Sequence, residues 1–176
     1  MAVISSRRVQ KSFRDGDNAE TAHAKGHTLE ELLVYIFRKF PGVRLLEQNV
    51  IVANGSEEID IVFWNDRAAE GLPFLPNILM FECKNWVAPV DSASVVFFAN
   101  KIRTRHLEYG FLIASNGVTG DIADLRAAHQ HVHNALIQDN VKILIFDREE
   151  LCALTNTQQL TALIQQKIGN IILRAG

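Results

Sequence analysis

The 176-residue chain predicts a single α/β domain with a central mixed β-sheet flanked by α-helices. Three observations predict it. Leu29, Leu32, Leu33, Ile36, Phe37 and Phe40 recur at helical spacing. Three extended apolar segments follow, and Asn54-Gly55 between the first two is a strong hairpin signal. Later in the chain, strand-like runs alternate with helical patterns, which favours parallel crossovers after an antiparallel start.

Taken in order, residues 1–25 are polar and read as a mobile arm or short lead-in helix, with Asp15-Gly16-Asp17-Asn18 resembling a turn; residues 26–176 form the domain. The first long helix starts near Thr28 or His27 and stops at Pro41-Gly42, which places Glu30 and Glu31 in its first turn. Strands are expected over 44–52, 58–64 and 77–84, the last two separated by a long loop over 65–76. A helix over 91–105, a strand over 110–115, a helix over 121–138, a strand over 141–146 and helical segments to the end complete the list.

The bulk composition narrows the function. With 48% hydrophobic residues, 22% charged residues and four prolines, the chain is an ordinary ordered globular protein. A formal net charge of −2 leaves no global basic field, so nucleic-acid contact must come from a local patch or through metal ions. Cys83 and Cys152 are the only cysteines, which suggests neither a disulfide framework nor a cysteine-rich zinc site and fits a reducing cytoplasm. No stretch approaches the roughly 18 apolar residues of a membrane span.

Charge sits where apolar side chains are expected. The run from Asn77 ends in Glu82-Cys83-Lys84, and on a strand Glu82 and Lys84 share a face while Cys83 takes the other. Asp60 interrupts the apolar stretch between Ile59 and Ile61 on the strand before it. Buried charges pair with each other or hold a metal. Magnesium takes oxygen ligands and keeps waters, so Asp60 and Glu82 could bind it, with the Cys83 carbonyl as a further ligand and Lys84 reaching the attacking water or the phosphate. Glu30 could orient a water or hold a second metal. The competing reading is an ordinary Glu82–Lys84 salt bridge with Asp60 capping a turn.

A helix bearing a glutamate, a hairpin-like strand pair, an aspartate on the second strand and Glu-x-Lys on the third resemble, in that order, the PD-(D/E)xK nuclease superfamily and its Mrr-like restriction endonuclease branch. The likeness covers roughly residues 26–146, including Phe111 to Ser115 and the segment Asn116-Gly117-Val118-Thr119-Gly120-Asp121 after it. It departs at Ile59, where the name-giving proline would stand, and at Glu58, where Mrr-like chains often place glycine. The resemblance implies a restriction-endonuclease-like core and a Mg2+-dependent endonuclease on DNA, with Mn2+ able to substitute. Asp60 and Glu82 would be metal ligands, Lys84 the assisting cation and Glu30 the accessory acid. Other readings on the same fold are a silent module that binds nucleic acid or a protein, an RNase, and a structure-specific resolvase.

Other features admit blander explanations. His129 and His133 stand at i and i+4 with His131 between them, but no third zinc ligand is evident. Lys101, Arg103, Arg105 and His106 suit a helix C-terminus as well as a phosphate contact, and Arg7, Arg8, Lys11 and Arg14 a solvated tail as well as a DNA clamp. Trp86 could stack on a base. The apolar C-terminal stretch from Leu151 to Ile172 either packs back on the sheet or forms a homodimer face. No reader domain is visible, which leaves open either a separate target-recognition protein as partner or a simple nonspecific activity.

Overall fold

The apolar run before Glu82 becomes β3 (Ile78–Lys84), in which five consecutive residues are buried. A strand hides successive side chains only when both of its faces are covered. Leu79, Phe81 and Cys83 pack toward α2 (Ala22–Phe37), and Met80 packs toward α3 (Ser92–Thr104). This computed structural model describes residues 1–51, 57–84, 89–118, 131–132, 134–135 and 137–173. Asn54-Gly55, Trp86, His129, His133 and most of the helix expected over 121–138 lie outside them.

The sheet is mixed, as expected. Its five strands run in the order β1 (Val43–Ile51), β2 (Glu58–Asn65), β3, β4 (Tyr109–Ala114) and β5 (Lys142–Phe146). The β1–β2 and β2–β3 pairs are antiparallel, and the β3–β4 and β4–β5 pairs are parallel. One phenylalanine from each of β2 to β5, namely Phe63, Phe81, Phe111 and Phe146, faces the α2 side. Phe81 stacks on Phe111 at 4.5 Å, and Phe37 of α2 meets Phe81 edge-on at 4.7 Å. Each such contact adds about 0.5–1.5 kcal/mol beyond area burial.

On the opposite face, α3 lies against β4 at Gly110. A Cβ there would stand 2.8 Å from side-chain atoms of both Phe98 and Ile102. The missing side chain is what lets α3 approach the sheet so closely.

One helix start differs from expectation, and the lead-in takes the helical one of its two expected forms. Helix α2 begins at Ala22, where the Thr21 side chain caps it by accepting the Ala24 N–H, so Thr28 lies inside the helix and its hydroxyl donates to the Lys25 carbonyl. The polar lead-in is helix α1 (Ser6–Asp17), whose Val9 and Phe13 enter the main core together with Ile4. Its basic residues point outward, except that Arg8 also stacks on the Tyr35 ring at 3.8 Å.

The C-terminal helices are α4 (Arg148–Ala153) and α5 (Thr157–Leu173). Leu160 and Ile164 are buried in the main core, with Leu163, Ile168 and Ile171 packed against it. This helix folds back on its own domain, which leaves Ile172 and Leu173 as its exposed large apolar residues. Among the described residues no helix is long and apolar enough to cross a membrane.

Candidate active site

Strands β2 and β3 stay in register from the Trp64–Ile78 pair to the Ile61–Phe81 pair and no further. Continued, that register would set Asp60 opposite Glu82. Instead the Cys83 N–H donates to Asp60 Oδ2 at 2.6 Å. A side chain has replaced the partner strand's backbone, and the strands part where the charged residues begin.

Glu82 is 3% exposed. A lone buried carboxylate is costly, and two ammonium groups answer it. Lys84 Nζ lies 2.8 Å from Oε1 and Lys101 Nζ 2.8 Å from Oε2. Lys101, also 3% exposed, donates in addition to the Glu58 carbonyl at 2.6 Å. Its Nζ lies 4.9 Å from the centre of the Phe97 ring. The pairing of Glu82 with Lys84 on one face follows from the two-residue strand repeat.

Lys101 lies in the last turn of α3, as expected, but its pairing with Glu82 is not foreseen from its neighbours. Its proximity to Arg103, Arg105 and His106 suggests a basic surface, yet it turns inward, while Arg105 pairs with Glu57 at 2.7 Å. The signal is periodic: Val95, Phe98 and Ile102 form the buried stripe of α3, and Lys101 falls within it. A lysine in an apolar stripe calls for a buried partner.

The electrostatics follow from this crowding. Burial, and then the neighbouring Glu82 charge, push the Asp60 carboxyl up to about 7 against the pull of the Cys83 N–H and both lysines. For Lys84, burial disfavours the charge, but the field and hydrogen bond of Glu82 outweigh it and hold the ammonium above the ordinary lysine range. Burial, reinforced by Asp60, Glu30 and Glu82, pushes the Cys83 thiol far up. That thiol is a core group and no nucleophile.

Glu30 stands apart. It lies more than two turns into α2 and is 7% exposed, so helix-end electrostatics do not account for it, whereas Glu31 is exposed. Gln48 Nε2 of β1 donates to Glu30 Oε2 at 2.9 Å, and His27 Nδ1 lies 3.9 Å from the same oxygen. Its field reaches Cys83 on the α2 side of β3, while Glu82 turns to the α3 side.

Among the described residues, no group of three or more His, Cys, Asp and Glu side chains is placed to hold a metal ion. Asp60 and Glu82 are the carboxylates that come together. Such a pair suits magnesium, which uses one or two protein carboxylates and retains water, better than an ion that demands an all-protein cage. A divalent cation beside Asp60 would favour the charged form of its raised carboxyl. Glu82 and Lys84 open onto a cleft of about 360 Å³, which Asp91, Ala93, Ser94 and Phe97 of the α3 N-terminal end also line. The 65–76 loop, by contrast, lies at the other end of the β2–β3 hairpin, where buried Asn65 Nδ2 donates to the carbonyls of Leu72, Leu75 and Pro76.

Comparison with known proteins agrees with this fold. Among solved structures, the cAAA-bound form of NucC from P. aeruginosa ATCC27853 superposes with a TM-score of 0.56 over 96% of this chain and 89% of that one. At 11% identity the likeness is one of fold. No curated protein matches the chain. The restriction endonuclease family model Mrr_cat matches residues 21–155, a span that holds Asp60, Glu82, Lys84 and Glu30. The chain belongs to the Mrr-like restriction endonuclease family.

Proposed function

We propose that this protein is a Mg2+-dependent endonuclease that hydrolyses DNA phosphodiester bonds at the parted ends of β2 and β3. The observation that carries the reading is the convergence of Asp60, Glu82 and Lys84 there, beside an open cleft. Asp60 and Glu82 would hold the ion, with the Cys83 carbonyl as a further oxygen. A bound divalent ion would supply an acidified water and charge neutralisation at the phosphate. Lys84 is 24% exposed at its side chain, the one cation of the Glu82 pair with access to the cleft, and it would stabilise charge developing on the phosphate. Glu30 is proposed as an accessory acid acting from the α2 side. Mn2+ would substitute for Mg2+.

Paired cuts in a duplex call for two copies of the site. A homodimer would have to use surface other than the apolar stripe of α5, which the core occupies, and a separate protein could supply target recognition.

The test is cleavage of supercoiled plasmid and of a single-stranded oligonucleotide by wild type and Lys84→Ala with Mg2+, Mn2+ or EDTA. Metal-dependent nicking by wild type alone supports the reading. DNA binding that is equal in EDTA and Mg2+, without cleavage of either substrate, would replace it with a silent binding module.

A further inference from the structure

The two oxygens of Glu82 are held by unlike partners. Oε2 meets Lys101, whose side chain is 4% exposed, and Oε1 meets Lys84, whose side chain is 24% exposed. Lys101 is also tied to the Glu58 carbonyl at 2.6 Å, so it links α3, β2 and β3 through one ammonium group. Gly110 fixes the height of α3 above the sheet and with it the reach of Lys101. Moving that ammonium would abandon two short hydrogen bonds in a buried place. Lys84 sits at the cleft and has a shorter way to solvent.

From this asymmetry we propose that Lys101 is a positioning residue, a permanent counter-ion that locks Glu82 Oε2 and leaves Oε1 as the exchangeable oxygen. On this account, which rests on the proposed metal-dependent activity, arrival of a cation at Glu82 releases Lys84 from Oε1 toward the cleft, while Lys101 stays in place. One carboxylate thus serves as fixed anchor and as switchable ligand. Without Lys101, Lys84 would be the sole cation on Glu82 and harder to dislodge.

Mn2+ binding to DNA-free protein, followed by electron paramagnetic resonance, tests the arrangement. Lys101→Met is expected to weaken binding about tenfold, the loss typical of removing a hydrogen-bonded partner of a metal-ligating carboxylate. Lys84→Met is expected to tighten it, because the competitor for Oε1 is gone. Were Lys101 a bystander charge, its loss would tighten Mn2+ binding, and were it only structural, binding per folded molecule would not change; either result overturns the proposal. Should Lys101→Met fail to fold, 15N-detected lysine ammonium signals of wild type decide it. Mg2+ should shift the Lys84 signal and leave that of Lys101 protected, and a shift at Lys101 alone would refute it. If wild type binds no Mn2+, the proposed activity falls first and the role of Lys101 with it.

Discussion

Asp60 accepts the Cys83 N–H through its side chain where two strands part, and burial raises its carboxyl in spite of that hydrogen bond. Its proton has a direct link to stability. A carboxyl whose folded pKa is raised costs the fold nothing below the unfolded value, 3.8, and its full penalty is present above about 7. Wild type should therefore lose stability as pH climbs between these values. Asp60→Asn keeps an acceptor for the Cys83 N–H and removes the charge. Urea unfolding in EDTA should show the variant gaining on the order of 4 kcal/mol relative to wild type between pH 4 and pH 8. Parallel pH profiles for the two proteins would contradict the assignment.

Magnesium should reverse that penalty. A cation beside ionised Asp60 binds the folded state alone, so saturating Mg2+ at pH 8 should raise the melting temperature of wild type. The Asp60→Asn protein should respond much less. An equal rise in both would place the ion elsewhere.

Lys84→Ala should bind DNA nearly as wild type does and cut it at least about 100-fold more slowly, the range seen when one donor to a developing anion is removed. Plasmid nicking alongside an anisotropy titration separates the two effects. A comparable fall in affinity and rate would make Lys84 a binding residue.

Glu30 and Gln48 should act as one unit because their side chains are bonded at 2.9 Å. Each of Glu30→Gln and Gln48→Ala is expected to slow cleavage by roughly 10-fold, and the double variant little more than either. Multiplicative losses would show that the two residues work separately.

Gly110→Ala tests the packing that sets α3. The added methyl meets Phe98 and Ile102, and overpacking of this kind costs about 1–3 kcal/mol. Leu160→Ala, on the buried face of α5, costs about 2–5 kcal/mol by leaving a cavity. If α3 must hold Lys101 against Glu82, Gly110→Ala should impair cleavage more, even though it destabilises the protein less.

Much of this arrangement was legible in the residues, and what was hidden has a physical cause. The strands and the Glu82–Lys84 pairing follow from local periodicity, which a chain carries on its face. The start of α2 was obscured because Thr28 looks like a cap, whereas Thr21 does the capping and Gly26 is tolerated within the helix. Lys101 was obscured because its neighbours in sequence are surface cations. Its partner, Glu82, is set by how closely α3 rides over Gly110, a tertiary fact that no window of sequence contains. The 65–76 loop adjoins both key strands in sequence, but antiparallel pairing carries it to their far end.

That placement of the loop has a practical side. Asn65 gathers its carbonyls into a self-contained knot, and the length of the β2–β3 ladder separates it from Asp60 and Glu82. It is a natural handle: a fluorophore, an affinity tag or a grafted DNA-reading module attached at its exposed Glu70 would report on or redirect the protein while leaving the chemistry at the opposite rim undisturbed.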